Sequence, residues 1–186
     1  PEVSAGNGSV MSCAPLGVAY AHRPERLAEL APALSRLTHA DGRCATACLA
    51  VTLCVAGLVR GEDARTSAQG ALEAVEEDEG GEELEYLVES VGASRPVDGP
   101  DRGFVLFAAG TAFQALVRGG DAESELRHVV SLGGAADANA AVTGALLGAR
   151  DGIGGLPAAW VERLDDSAAI RQEAGALAGL ASTRSG

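Results

Sequence analysis

Apolar residues recur at helical spacing along almost the whole chain, and no stretch of useful length alternates apolar and polar as a half-buried strand would. From Pro24, Leu27, Leu30, Ala31, Leu34 and Leu37 form one face of an amphipathic helix, with Pro24 suited to a first-turn position. Asp41 reads as the cap of a second helix, running through Cys44, Cys48, Val51, Val55 and Leu58 to a stop at Gly61. Two more helices are expected around Ala64 to Val75 and Glu82 to Val91. Phe104, Phe107, Thr111, Ala115 and Leu116 mark a buried helix ending at Gly119-Gly120. Asp121 caps another that ends before Gly133-Gly134, and Asp137 opens an Ala-rich helix through Gly148. Pro157 begins a short helix bearing Trp160 and Leu164, and Ser167 caps a last one. The fold class predicted is all-α, a multi-helix assembly.

Composition narrows what holds these helices together. The 186 residues fit one domain, 1–186, able to bury roughly two-thirds of its unfolded surface. Apolar residues are 47% of the chain but aromatics only 3%, so the core has to be Ala, Leu and Val, side chains that let helices approach closely. Residues 76–103 stand outside that scheme. They comprise the acidic run Glu76-Glu77-Asp78-Glu79-Gly80-Gly81-Glu82-Glu83, read as a solvated turn, and the loop Val91 to Asp101, read as a surface connector or flap.

Charge excludes some partners. A net charge of -12 gives no basic face for a phosphate backbone, so no nucleic-acid partner is expected, nor an acidic lipid surface. All 14 basic residues are Arg, a bias that a G+C-rich coding sequence and salt adaptation explain equally well. With no run of some 18 apolar residues and no basic-then-apolar leader, neither a membrane span nor a signal peptide is expected. The chain opens on Pro1 rather than Met, which raises trimming or a fragment. Cys13, Cys44, Cys48 and Cys54 lie in apolar or Ala-rich surroundings and read as reduced, which places the protein in the cytoplasm. His39 with Cys44 and Cys48 offers three potential zinc ligands, although both cysteines also fall on the apolar stripe of their helix, where packing explains them. Gly110 to Gly120 lacks the Lys-(Ser/Thr) of a phosphate-binding loop.

Three stretches carry more specific information. They are Gly6-Asn7-Gly8-Ser9-Val10-Met11-Ser12-Cys13-Ala14-Pro15-Leu16-Gly17, Leu37-Thr38-His39-Ala40-Asp41, and Gly133-Gly134-Ala135-Ala136-Asp137-Ala138-Asn139 continuing through Gly144-Ala145-Leu146-Leu147-Gly148-Ala149. In this order, with Gly103-Phe104-Val105-Leu106 and Leu156-Pro157-x-x-Trp160 between and after them, they resemble the landmarks of the ADP-ribosylglycohydrolase family over most of residues 4 to 165. The resemblance implies an all-α glycohydrolase-like domain lacking the family's N-terminal segment. It also implies a magnesium-dependent activity that hydrolyses an ADP-ribosyl N- or O-glycosidic bond, with two ions held by carboxylates from two distant segments.

The upstream Thr-Asp-Asp ligands of the family have no counterpart in this sequence. Downstream, Ala135 stands where the resemblance expects an Asp, and Ala138 where it expects a Thr; Asp137 matches the surviving metal ligand. Ser12 replaces the usual Arg. Magnesium takes near-octahedral oxygen coordination, so a methyl group at 135 removes a ligand and a charge together. The family activity is therefore expected to be impaired. Asp137, at a helix start, has a second reading as an ordinary cap. Resemblance places Asn7, Gly8 and Ser9 against ADP-ribose, where successive N–H groups would cradle the diphosphate; a plain tight turn is the alternative. His39 would touch ribose or phosphate, or be satisfied locally by Asp41. The partners implied are ADP-ribose or an ADP-ribosylated protein or small molecule. The alternative function is a non-catalytic relative that binds ADP-ribose or a protein.

Overall fold

Asp41, Asp63 and Asp121 each stand one residue before a helix in extended backbone and accept hydrogen bonds from N–H groups of its first turn. These caps punctuate a computed structural model that describes residues 5–93 and 95–183, among which ten α-helices occur and the only β-pairing is two isolated bridges. The helices are α1 (Ala14–Ala19), α2 (Pro24–Arg36), α3 (Gly42–Val59), α4 (Ala64–Glu73), α5 (Gly81–Ser90), α6 (Val105–Arg118), α7 (Ala122–Ser131), α8 (Ala136–Asp151), α9 (Ala158–Glu162) and α10 (Ser167–Thr183). The all-α expectation holds.

The centre of the fold is α3, packed against α1, α2, α4, α6 and α8. Its side chains from Cys44 through Thr52, and Cys54 through Leu58, are buried, as the small-residue composition requires. It stops at a glycine: Gly61, at φ +88°, donates to the Leu58 carbonyl while Glu62 donates to Gly57, the paired bonds that satisfy a helix's last carbonyls. By length and hydropathy alone α3 could cross a membrane, contrary to the absence of such a run expected above, but 78% of it is buried among its neighbours. Burial inside a bundle accounts for an all-round apolar helix. The second buried helix, α6, packs against α5 and α8, with Phe107, Phe113 and Leu116 in the core.

Several boundaries differ from the sequence reading. The segment after the glycine-rich loop is not all loop: a 3-10 turn, Val10–Ser12, leads into α1. Six residues are too few to display a helical period, and α1 is held by packing instead. A Cβ at Gly17 would stand 2.6 Å from the Thr52 carbonyl oxygen and 2.8 Å from Val55 Cβ, so the two backbones meet with no space for a side chain. Pro157 caps α9 rather than beginning it, and Leu164 lies past its end, 54% exposed. Ser167 is the first residue of α10, a largely exposed helix that rests on α1.

The acidic residues 76–79 are exposed, but the turn is docked: Thr46 donates to the Glu79 carbonyl at 2.9 Å. The loop after α5 is anchored as well, with Val97 buried and Gln114 donating to the Val91 carbonyl. Ser94 of that loop, Pro1 and Ser4 lie outside the described residues.

Candidate functional site

The opening loop is pinned to the start of α6. Val105 N–H donates to the Ala5 carbonyl at 2.8 Å, Asn7 N–H donates to the Gly103 carbonyl at 3.0 Å, and Gly6 pairs with Phe104 in an antiparallel bridge. The Val10–Ser12 turn then packs against α3, α6 and α8, with Val10 buried. Asn7's backbone donor is therefore already used. Of the three consecutive N–H groups predicted to cradle an anion, those of Gly8 and Ser9 remain without a partner among the described residues.

His39 comes to this loop from the middle of the α2–α3 connection. A Cβ on Gly8 would stand 3.0 Å from its Cε1 and 3.2 Å from its Nε2, and one on Gly6 would stand 3.5 Å from Nε2. At Gly8 the imidazole lies so close to backbone that a side chain would press on the ring, whereas a Cβ at Gly6 would meet it at ordinary contact distance. The sequence allowed Asp41 as a local partner for His39. Instead Thr38 Oγ1 lies 2.7 Å from His39 Nδ1, leaving Nε2 facing the loop.

Asp41 has other work. Besides capping α3 through the Arg43 N–H at 3.0 Å, its carboxylate receives Arg43 Nε and Nη2 at 2.9 and 2.8 Å. Those hydrogen bonds hold the Asp41 carboxyl below the usual carboxylate range and raise Arg43 above its own. The same guanidinium lies 5.2 Å over the Phe104 ring, which meets Phe107 edge to face at 5.4 Å, and Arg95 covers Phe107 at 5.6 Å. Sequence reasoning missed this Arg–aromatic ladder. Its residues are separated by up to 64 positions, and no local pattern joins them.

Beneath the loop, Ser9 is buried and accepts from Ser35 Oγ at 3.2 Å, and Cys44 donates to the Gly6 carbonyl at 3.4 Å. Cys48 and Cys13 are fully buried in the hydrophobic core. The cysteines read as possible zinc ligands accordingly sit in the core beneath the loop. Two amide groups are conspicuous: Asn7 Nδ2 and both polar atoms of Asn139 are buried without a hydrogen-bond partner among the described residues. Buried polar groups of this kind are rare unless water or a ligand meets them.

The third landmark is built differently. Gly133 and Gly134 adopt φ +76° and +66°, and a Cβ at Gly134 would fall 2.0 Å from the Val97 carbonyl oxygen. The glycine pair packs the turn before α8 onto the loop after α5. Ala135 is the N-cap of α8 and offers no side-chain bond, so the reading of Asp137 as a cap is corrected. Asp137 lies within the first turn, exposed, and its carboxylate accepts no hydrogen bond among the described residues. With Ala135 already at the cap position, Asp137 is carried past the backbone donors. Ala138 is buried at 3%. Among the described residues no group of three or more His, Cys, Asp or Glu is placed to hold a metal ion. The donor set these residues offer does not fit a magnesium pair.

An all-helical domain whose glycine loop and α8 motif occur in this order defines a class, and comparison with known proteins names it. The family model for ADP-ribosylglycohydrolase matches residues 1–186. This chain belongs to the ADP-ribosylglycohydrolase family. It is 28% identical over 182 residues to the ADP-ribosyl-[dinitrogen reductase] glycohydrolase of Rhodospirillum rubrum, covering 97% of this chain and 58% of that protein. A solved ADP-ribosylglycohydrolase-related protein complex superposes with a TM-score of 0.77 at 32% identity, covering all of this chain and 62% of that one. The chain therefore spans under two-thirds of the length of either relative.

Proposed function

We propose that this chain binds the ADP-ribosyl group through its opening loop, and that by itself it hydrolyses the glycosidic bond poorly or not at all. The observation that carries the reading is the seating of His39 on the Gly6–Gly8 backbone. It sets an imidazole against Gly8, in a loop whose Gly8 and Ser9 N–H groups and Asn7 side-chain amide have no partner among the described residues. Successive backbone donors suit a diphosphate, and an imidazole nitrogen suits a ribose hydroxyl or a phosphate oxygen. The partners are accordingly ADP-ribose or an ADP-ribosylated protein or small molecule.

Impairment follows from the α8 start. Cleavage needs a water or hydroxide aimed at the ribose carbon and charge stabilisation as the bond breaks, and magnesium ions would supply both when bound. Asp137 is the single residue here that matches a family ligand, while Ala135 and Ala138 contribute no oxygen. The family's magnesium activity therefore belongs, in this reading, to a protein in which other segments supply carboxylates.

Calorimetric titration of the 186-residue chain with ADP-ribose tests the proposal. Binding weakened at least about tenfold by Gly8→Val, a loss of about 1.4 kcal/mol, and several-fold by His39→Ala is expected. Equal affinities for wild type and Gly8→Val would overturn the loop as the binding element. Release of ADP-ribose from modified protein by the wild-type chain, dependent on added magnesium, would overturn the impaired reading.

A further inference from the structure

An apolar groove of about 410 Å3 stays open between α7, α8 and α9. Its floor is Ala140, Ala141 and Gly144 of α8, and its walls are Leu126 of α7 with Trp160 and Leu164 from α9 and the turn after it. One turn beyond Leu126, Val130 continues the α7 wall, and Val130, Trp160 and Leu164 are all exposed. After Leu164 the chain turns at Asp166, in the left-handed region at φ +56°, and α10 packs on α1 and leaves the groove uncovered. Small residues on the floor admit a close approach. An aromatic wall offers the kind of anchor on which interfaces concentrate their binding energy.

Charge selects the occupant. Asp137 precedes Ala140 and Ala141 by three and four positions, so it stands on the same α8 face at one end of the floor, and its carboxylate accepts no hydrogen bond among the described residues. Asp165 and Asp166, both exposed, directly follow Leu164. Of the nearby bases, Arg127 is committed twice, to Glu123 at 2.7 Å and over the Trp160 ring at 5.1 Å; Arg163 is the other. The rim is therefore acidic, on a chain of net charge -12. A second copy would bring the same charge, and an anionic lipid surface would be repelled. A cationic surface gains from each of these carboxylates.

We infer that the groove between α7, α8 and α9 is a docking site for a basic amphipathic helix of a partner protein. Apolar side chains on one face of that helix seat over Ala140, Ala141 and Gly144, between Leu126 and Trp160, while flanking Lys or Arg residues meet Asp137, Asp165 and Asp166. Apolar burial supplies most of the affinity, and the carboxylates supply orientation and the preference for a cationic partner. The groove shares no lining residue with the opening loop, and ADP-ribose is not needed for its occupation.

Trp160 is the one tryptophan of the chain, so its fluorescence reports on this groove alone. The probe is a peptide of about 14 residues with Leu at i, i+3, i+4 and i+7 spacing and Lys elsewhere, titrated into the full chain. Expected is a saturable blue shift with one peptide bound per chain. Binding should be at least about tenfold weaker for the same residues in scrambled order, and for a version with Glu in place of every Lys. Gly144→Leu, whose added Cβ has only Leu126 near it at 3.8 Å, and Ala141→Glu, at an exposed position, should keep the Tm and each weaken the striped peptide at least about tenfold. Asp137→Asn combined with Asp165→Asn should weaken it several-fold and flatten its salt dependence. Equal affinities for striped and scrambled peptides, or for both groove variants and wild type, would overturn the groove as the site. So would calorimetric binding without a Trp160 shift, or no binding at all. Equal affinity for the Glu peptide would overturn the basic partner. A Trp160 shift that grows with protein concentration alone, with dimers in sedimentation, would give the groove to a second copy and overturn the partner helix.

Discussion

The opening loop and the start of α8 are both family landmarks, yet they are finished in opposite ways. Around the loop, chemistry is concentrated: His39 on the glycine backbone, the bidentate Asp41–Arg43 pair, and buried hydroxyls and thiols beneath. At α8 the turn is built as tightly, with Gly134 against the Val97 backbone, but the positions where the resemblance expects metal-binding oxygens carry Ala135, Ala138 and one exposed carboxylate, Asp137. The contrast teaches that the backbone geometry of a motif does not by itself carry its chemistry. Glycines at α8 make a fold contact, whereas the loop gathers the polar groups on which the proposed ADP-ribose binding rests.

The largest expected effect tests α8 as scaffold. Gly134→Ala puts a Cβ into the Val97 carbonyl at a backbone angle that disfavours any side chain, and should cost about 3 kcal/mol, or roughly 10 °C in Tm. Thermal melts would check it, and an unchanged Tm would show that the loop after α5 yields easily. Such a result would break the distinction drawn between scaffold and ligand loop.

A smaller effect belongs to the loop side. Asp41→Ala removes the α3 cap and Arg43's partner, and should cost about 1.5 kcal/mol, with Asp41→Asn costing less because it still caps. The Asp41 carboxyl is depressed in the fold, so the stability it contributes is present above the ordinary Asp value of about 4 and is lost as pH falls through the lower folded value. Melting curves below about pH 4 should therefore fall more steeply for wild type than for Asp41→Asn. Parallel curves would remove Asp41 from the chemistry of the loop side.

The smallest effect sharpens the α8 side. Magnesium titrated into this chain at physiological salt should find no stoichiometric micromolar site, and Asp137→Ala should leave the titration unchanged, because a lone exposed carboxylate cannot complete octahedral coordination. A stoichiometric site lost in Asp137→Ala would restore metal chemistry to this end.

Much of this molecule was legible before its structure. The all-α class followed from periodicity, and the caps Asp41 and Asp121 followed from residue type, because a short carboxylate in extended backbone reaches N–H groups two or three residues ahead. Boundaries failed where a helix was too short for a period, as in α1, or where a carboxylate one residue inside the first turn imitated a cap, as with Asp137. At the candidate site, the sequence nominated Asn7, Gly8, Ser9 and His39 through resemblance. It gave no sign that His39 turns to Thr38, or that Arg43 bridges Asp41 and Phe104.

What the sequence determined by itself is local or statistical: where helices start, that the core is made of small aliphatic side chains, and which family's landmarks the chain carries. These depend on neighbours within a few residues or on composition. The tertiary structure alone decided which distant groups meet. His39 rests on Gly6 and Gly8 across more than thirty residues, Cys44 reaches the Gly6 carbonyl, and Gly134 meets Val97. Contacts of that range are fixed by how α3 packs against α1, α2 and α8, because helix packing sums many weak dispersion and burial terms over whole faces, and no short pattern records their balance.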